Sequence, residues 1–153
     1  MSGRLEGKTA LVTGATSNIG KAIATAFAGE GGHVIVSGRS EERGGQVVEA
    51  IRAAGGRADF VAANLDGSKQ ASSDLAAQAS SRLGGRIDVL VNNAGIFPGA
   101  ATVSIDEATF DEVYAVNVKA PFFLTAAVAP AMAERGSGAI AAVRKYGALT
   151  LTA

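Results

Sequence analysis

Short apolar runs alternate with helical stripes along the whole chain. Thr9–Val12, His33–Ser37, Ala58–Ala62, Ile87–Val91 and Ala139–Val143 are runs of small aliphatics bounded by turn residues. Runs of this length and composition form strands buried on both faces. Between them lie helical patterns over Ile19–Glu30, Glu41–Ala54, Lys69–Leu83 and Ile105–Ala133, the last predicted as two helices meeting near Lys119-Ala120-Pro121. Ile19, Ile23 and Phe27 recur at helical spacing and turn one face of the first helix toward a sheet. Gly31-Gly32, Gly55-Gly56 and Gly84-Gly85 stand where helix C-terminal stops belong. Alternation with short turns predicts an α/β fold: a doubly wound parallel sheet of about five strands with helices on both faces. With no linker or low-complexity tract, residues 1–153 are expected to form a single domain.

Composition narrows the partners. The 48% apolar content supports a folded core, and 5% aromatics with no Trp make it a core of small aliphatics. Fourteen basic and fourteen acidic residues leave no net field to attract nucleic acid or an acidic membrane, so neither is an expected partner. The chain has no cysteine, which excludes disulfides, thiolate catalysis and Cys-based metal sites. His33 has no further ligand at metal-binding spacing, so no metal is expected, and it reads as a solvated strand-end imidazole. Met1–Lys8 lacks the apolar core of a signal peptide. Ala120–Ala133, the longest nearly uncharged run, is too short to span a bilayer, which makes the cytoplasm the expected location. Phe122-Phe123 reads as core, and Asp106, Glu107 and Asp111 as acids favoured by a helix dipole.

The chemistry gathers at two turns. Thr13-Gly14-Ala15-Thr16-Ser17-Asn18-Ile19-Gly20 hands the first strand to the first helix. Such a turn points free backbone N–H groups and a helix N-terminus above the strand end, an anion site suited to a pyrophosphate. Asn92-Asn93-Ala94-Gly95 directly follows the fourth apolar strand. In a doubly wound sheet ligands sit outside the carboxyl ends of the strands, so both turns are expected to face one crevice. The chain is read as a dinucleotide-binding domain.

These residues resemble the short-chain dehydrogenase/reductase family. Its Thr-Gly-x-x-x-Gly-x-Gly turn matches Thr13–Gly20 except at Asn18, and its Asn-Asn-Ala-Gly motif matches residues 92–95 in full. An Asn in the family's next helix matches Asn117, within Val116–Leu124. The resemblance implies a Rossmann-type fold with strand order 3-2-1-4-5, a nicotinamide dinucleotide, and hydride transfer between an alcohol and a carbonyl of a small-molecule substrate (a ketone, an aldehyde or a 3-oxoacyl group). It places Gly14, Thr16, Ser17, Asn18, Ile19, Gly20, Asn92, Ala94 and Gly95 around the cofactor. Asn18 departs from the usual Gly; Asn tolerates left-handed backbone, and its side chain either caps the helix or meets a phosphate oxygen. Asn64-Leu65 resembles the family's adenine-contacting Asp-Leu pair, and the Asn64 amide oxygen can still accept from a ring amine. At the end of the second strand, Gly38 stands where NAD-type members carry Asp. Arg39 and Ser40 follow with a guanidinium fork and a hydroxyl, which favours NADP with NAD as the alternative. Against this stands a solvated Arg39 beside a helix-capping Ser40.

The catalytic set is incomplete. By resemblance, a Ser polarises the carbonyl, a Tyr exchanges the proton, a Lys four residues beyond the Tyr lowers its pKa, and the Asn supports a proton relay. Tyr146 and Asn117 are the candidates. The fifth strand runs at once into Arg144-Lys145-Tyr146, position 150 is Thr, and Ser137 belongs to the Gly136-Ser137-Gly138 turn. A phenol without a nearby cation titrates near ~10, so little phenolate forms at neutrality. For Asn117 the competing role is a hydrogen bond to local backbone. Three functions follow: an oxidoreductase of the short-chain type, a catalytically inactive dinucleotide-binding module, or a remnant keeping only the fold. Family members usually continue through further strands and helices; without them the helix over Pro121–Ala133 shows an apolar face, which suggests a homo-oligomer.

Overall fold

The computed structural model, which describes residues 3–143, lays five parallel strands side by side: β1 (Thr9–Val12), β2 (His33–Gly38), β3 (Arg57–Ala62), β4 (Val89–Asn92) and β5 (Ala139–Ala142). Their order is β3-β2-β1-β4-β5, the order the family resemblance implies. Leu11 lies between Ile35 and Leu90 in register, and Val12 between Val36 and Val91. Successive residues therefore feed opposite cores. Ala10, Val12, Val34, Val36 and Val91 pack under α1 (Asn18–Gly29) and α2 (Glu41–Ala53) through Ala24, Ala28, Val47, Val48 and Ile51. Leu11, Ile35, Val61 and Leu90 pack on the other face against Leu75 and Ala79 of α3 (Lys69–Arg82) and Leu124, Val128 and Met132 of α5 (Ala120–Arg135).

Helix stops fall where the glycine pairs predict. At the end of α1, Gly31 takes φ 88°, and the amides of Gly31 and Gly32 donate to Ala28 and Phe27. A Cβ disfavours that backbone, so glycine ends the helix. Strand β4 begins at Val89 rather than Ile87; the Ile87 carbonyl instead accepts from Arg135 Nη2 at 2.9 Å.

The region from 105 to 133 differs from the expected helix pair. A 3-10 turn (Thr102–Ser104) leads to α4 (Glu107–Tyr114), and a π-helical segment, Ala115–Lys119, joins α4 directly to α5. Residue 121 would donate to the Asn117 carbonyl in an α-helix, but Pro121 has no N–H, so the ladder is interrupted where the π segment lies. The continuous helix Glu107–Arg135 has 29 residues and, by length and composition alone, is long and apolar enough to cross a membrane. It is longer than the run 120–133 because the π segment makes α4 and α5 continuous. Its Ala120, Leu124, Val128 and Met132 form a buried stripe, the pattern of a helix docked on a sheet.

Two minor expectations are also corrected. Phe122 lies two residues off the buried stripe and is 66% exposed, so it does not fill the core; its ring meets Phe123 edge-on at 5.4 Å. His33 is not a freely solvated imidazole: Nε2 lies 2.7 Å from Asp59 Oδ2 on the neighbouring strand, and Asp59 also pairs with Arg52. The acids at the start of α4 include its cap, since Asp106 accepts from the Thr109 amide at 2.8 Å.

Asp88, 5% exposed, clamps the lower end of the sheet. Its carboxylate accepts from the Thr9 amide at 3.1 Å and from Thr9 Oγ1 at 3.2 Å, and it pairs with Arg86. Burial works most strongly against its ionisation, but the Arg86 and Thr9 hydrogen bonds and the Arg86 charge together outweigh it and hold the pKa below the usual carboxylate value. A depressed folded-state pKa stabilises the fold above the unfolded carboxylate's pKa, near ~3.9, and the effect is lost as pH falls through the folded value. Asp88→Asn is expected to lower stability by about 1.5–3 kcal/mol at pH 7. Denaturant unfolding across pH checks this: the gap between the two proteins must narrow as pH drops below about 4.

Candidate functional site

Above the carboxyl ends of β1, β2 and β4 lies a cleft of ≈ 490 Å³. Its floor is tied together by Thr13, 1% exposed. The Thr13 hydroxyl donates to the Val91 carbonyl at 3.3 Å and accepts from the Asn93 and Ala94 amides, each at 3.0 Å. One donor and two acceptor sites exhaust a hydroxyl. In return, Asn93 Nδ2 donates to the carbonyls of Thr13 at 3.0 Å and Gly14 at 3.1 Å. The turn after β1 and the turn after β4 are thereby knitted into one surface.

Two glycines permit this closeness. Gly14 has φ 60°, and a Cβ there would stand 2.9 Å from the Ala94 Cα. A Cβ on Gly20 would collide with the Gly14 carbonyl oxygen and Asn93 Nδ2, so only glycine lets α1 begin this near the strand end.

The start of α1 differs from those of its neighbours. Ser40, Ser68 and Asp106 each cap a helix with a side-chain oxygen, whereas Ser17 makes no such bond at the N-cap of α1. First-turn amides lack intrahelical acceptors, and here they open on the cleft. Asn18 sits inside the first turn with φ 47°, the left-handed backbone expected of it. Ser17, Asn18, Ile19, Gly38, Arg39, Asn64, Leu65, Ala94 and Gly95 all line the cleft, together with Gly14, Thr16 and Gly20.

Three of the sequence-predicted residues, Asn92, Ser40 and Asn117, do not line it. Asn92 donates from Nδ2 to Thr125 Oγ1 at 3.2 Å, on the α5 side of the sheet. Ser40 spends its hydroxyl on the Arg43 amide at 3.3 Å, capping α2 in the absence of an acid at that helix position. Asn117 lies within the π segment and bonds not to local backbone but to a segment 21 residues away: Oδ1 accepts from the Ile96 amide and Nδ2 donates to the Ile96 carbonyl, both at 2.8 Å. Ser137 lies in the turn between α5 and β5, its amide donating to Met132. Tyr146, with Lys145 beside it, lies outside the described residues.

Sequence reasoning missed Thr13, Asn93, Ile96, Arg43, Asp66 and Glu112. Asp66 lines the cleft as a carboxylate whose pKa is lowered by hydrogen bonds from Ser68, whose amide lies 2.8 Å from Oδ1. Asn93 was legible from strand parity, since Val91 faces the α1 core and residue 93 shares its side.

The cleft suits a dinucleotide on its own chemistry. It joins an uncapped helix start, two guanidinium groups and an amide side chain in a volume typical of small-molecule sites. Asn93 Oδ1 is buried and without a hydrogen-bond partner among the described residues, leaving an acceptor for a donor not supplied by them.

The family model "short chain dehydrogenase" matches residues 8–146. The 7alpha-hydroxysteroid dehydrogenase of Escherichia coli (strain K12) is 39% identical over 145 residues, covering 95% of this chain and 56% of that protein. An uncharacterized oxidoreductase of Thermotoga maritima is 40% identical over 135 residues, 88% of this chain and 52% of the relative. Among solved structures, a metagenomic short-chain oxidoreductase in complex with NADP superposes with TM-score 0.86 at 38% identity, covering 94% of this chain and 64% of the other. A 7 alpha-hydroxysteroid dehydrogenase complexed with NADH and 7-oxo glycochenodeoxycholic acid gives TM-score 0.86 at 39% identity, over 93% and 55%. The chain spans about half the length of the curated relatives it matches. It belongs to the short chain dehydrogenase family.

Proposed function

We propose that residues 1–153 form a single nicotinamide-dinucleotide-binding domain serving an oxidoreductase that moves a hydride between an alcohol and a small-molecule carbonyl. The observation that carries this reading is the convergence of the uncapped α1 start and the β4 turn on one cleft, fastened by Thr13 and Asn93. A bound dinucleotide supplies the hydride donor or acceptor. The amides of Ser17, Asn18, Ile19 and Gly20 hold its diphosphate, and Asn64 with Leu65 receives the adenine. Ala94 and Gly95 border the central part of the cleft. Arg39 draws the choice toward NADP, with NAD as the alternative. Asn117 acts as a positioning residue, fixing Ile96 beside the cleft, and Tyr146 exchanges the substrate proton. Hydroxysteroid dehydrogenases among the relatives make a hydroxysteroid one substrate to assay beside simple ketones, aldehydes and 3-oxoacyl compounds. The second reading, a binding module without turnover, is favoured by Thr150, which occupies the Tyr+4 place where a Lys would lower the phenol's pKa. The cytoplasm remains the proposed location, on the sequence alone.

A homo-oligomer is part of the proposal. Phe110, Tyr114, Val118 and Phe122 recur every fourth residue along the long helix and are 60%, 49%, 46% and 66% exposed. Exposed apolar side chains recurring along one helix support an association face there.

Four experiments test these assignments. NADPH at about 100 times its dissociation constant is expected to stabilise the fold by about 2.7 kcal/mol, read as a rise in melting temperature. No rise with either NADPH or NADH rejects the binding site. Thr13→Val strands the Asn93 and Ala94 amides, and is expected to cost about 1–3 kcal/mol of stability and to weaken that cofactor response. Hydride transfer followed by cofactor absorbance separates enzyme from module: Tyr146→Phe must abolish turnover while leaving dinucleotide affinity intact, and a wild type that binds without turnover decides for the module. Light scattering is expected to report an oligomer that Phe122→Lys dissociates; a wild-type monomer would remove the association face.

A further inference from the structure

We infer that the cleft selects a nucleotide bearing a 2′-phosphate by exclusion as well as by attraction: the Thr16 side chain fills the space that an acid at position 38 needs, and Arg43 joins Arg39 as a second guanidinium. The inference rests on the dinucleotide reading above and adds the residues that decide between its two cofactors.

The exclusion is geometric. A Cβ built on Gly38 would lie 2.6 Å from Thr16 Cγ2 and 3.2 Å from Thr16 Oγ1. Neither partner can retreat easily. The Ala15 amide donates to the Ser37 carbonyl at 2.9 Å, pinning the turn that carries Thr16 against β2. On the far side, the Ala63 amide donates to the Gly38 carbonyl at 3.0 Å, and Gly38 is in register with Ala62 of β3. Turning the Thr16 Cβ hydrogen toward Gly38 relieves the shorter contact but leaves a γ atom at the 3.2 Å position, still closer than an ordinary Cβ contact, so the space is narrowed in every staggered rotamer. A carboxylate reaching for a ribose 2′-hydroxyl from this strand end is therefore blocked by a side chain on the neighbouring turn.

The attraction uses what the cleft retains. Arg39 and Arg43 both line it. Arg43 follows Ser40 by three residues, and its amide is held by the Ser40 cap. The acids between them, Glu41 and Glu42, are exposed and are not among the lining residues. A phosphate monoester carries roughly −1.5 to −2 charges at neutral pH. Two guanidinium groups match it with charge-assisted hydrogen bonds, whereas a free 2′-hydroxyl leaves both unpaired.

Calorimetric titration of the intact protein with NADPH and with NADH reads both halves. Wild type is expected to bind NADPH at least about tenfold more tightly than NADH. Arg43→Gln, an exposed position with little bearing on folding, should lose about tenfold for NADPH and stay within about twofold for NADH. Gly38→Asp alone should weaken both cofactors. Adding Thr16→Ala, which removes both γ atoms, should restore NADH binding and reverse the preference, with melting temperatures confirming that each variant folds. Equal loss for both cofactors in Arg43→Gln overturns the attraction. Gly38→Asp alone favouring NADH as strongly as the double variant overturns the exclusion. Wild type binding both cofactors equally overturns the inference while leaving the functional reading standing; wild type binding neither overturns that reading, and the inference with it.

Discussion

A single hydroxyl carries the geometry on which the site depends. Thr13 sits where β1 ends, and its oxygen is the shared partner of a β4 carbonyl and two amides of the following turn. Buried amides that lose their acceptor cost free energy that solvent cannot return. The glycines at 14 and 20 follow from that geometry: once the turns are this close, a Cβ at either position would strike backbone or the Asn93 amide.

Much of the architecture was legible because parallel strands buried on both faces read as uninterrupted aliphatic runs. β1 came out residue for residue, and the glycine pairs marked the helix stops. Side-chain direction was harder. In Asn92-Asn93 the motif names both amides, but strand parity assigns them to opposite faces. Leu90 and Asn92 share the α5 side, while Val91 and Asn93 share the α1 side. Parity carried one residue past the strand points Asn93, not Asn92, toward the cleft. Phe122 follows the helical version of the same rule: two residues away from Ala120 and from Leu124, it faces away from both.

Other features cannot be read one element at a time. The clash between position 38 and Thr16 joins residues 22 apart, and appears only when the Ala15–Ser37 hydrogen bond sets the turn against β2. The sequence favours Ser40 as an anion ligand over a helix cap, but the α2 amide claims it. Local chemistry proposes such residues; register and neighbouring backbone decide among them.

The π segment shows how a backbone irregularity can serve the site. Asn117 reaches the loop after β4 and pairs with both polar groups of Ile96, much as a neighbouring strand would. The extra residue of a π turn redirects the side chains around it relative to a regular helix. Pro121 has already interrupted the ladder at that point, so the irregularity gives up little additional hydrogen bonding. The helix that braces Ile96 on one side carries the exposed Phe110–Phe122 stripe on another.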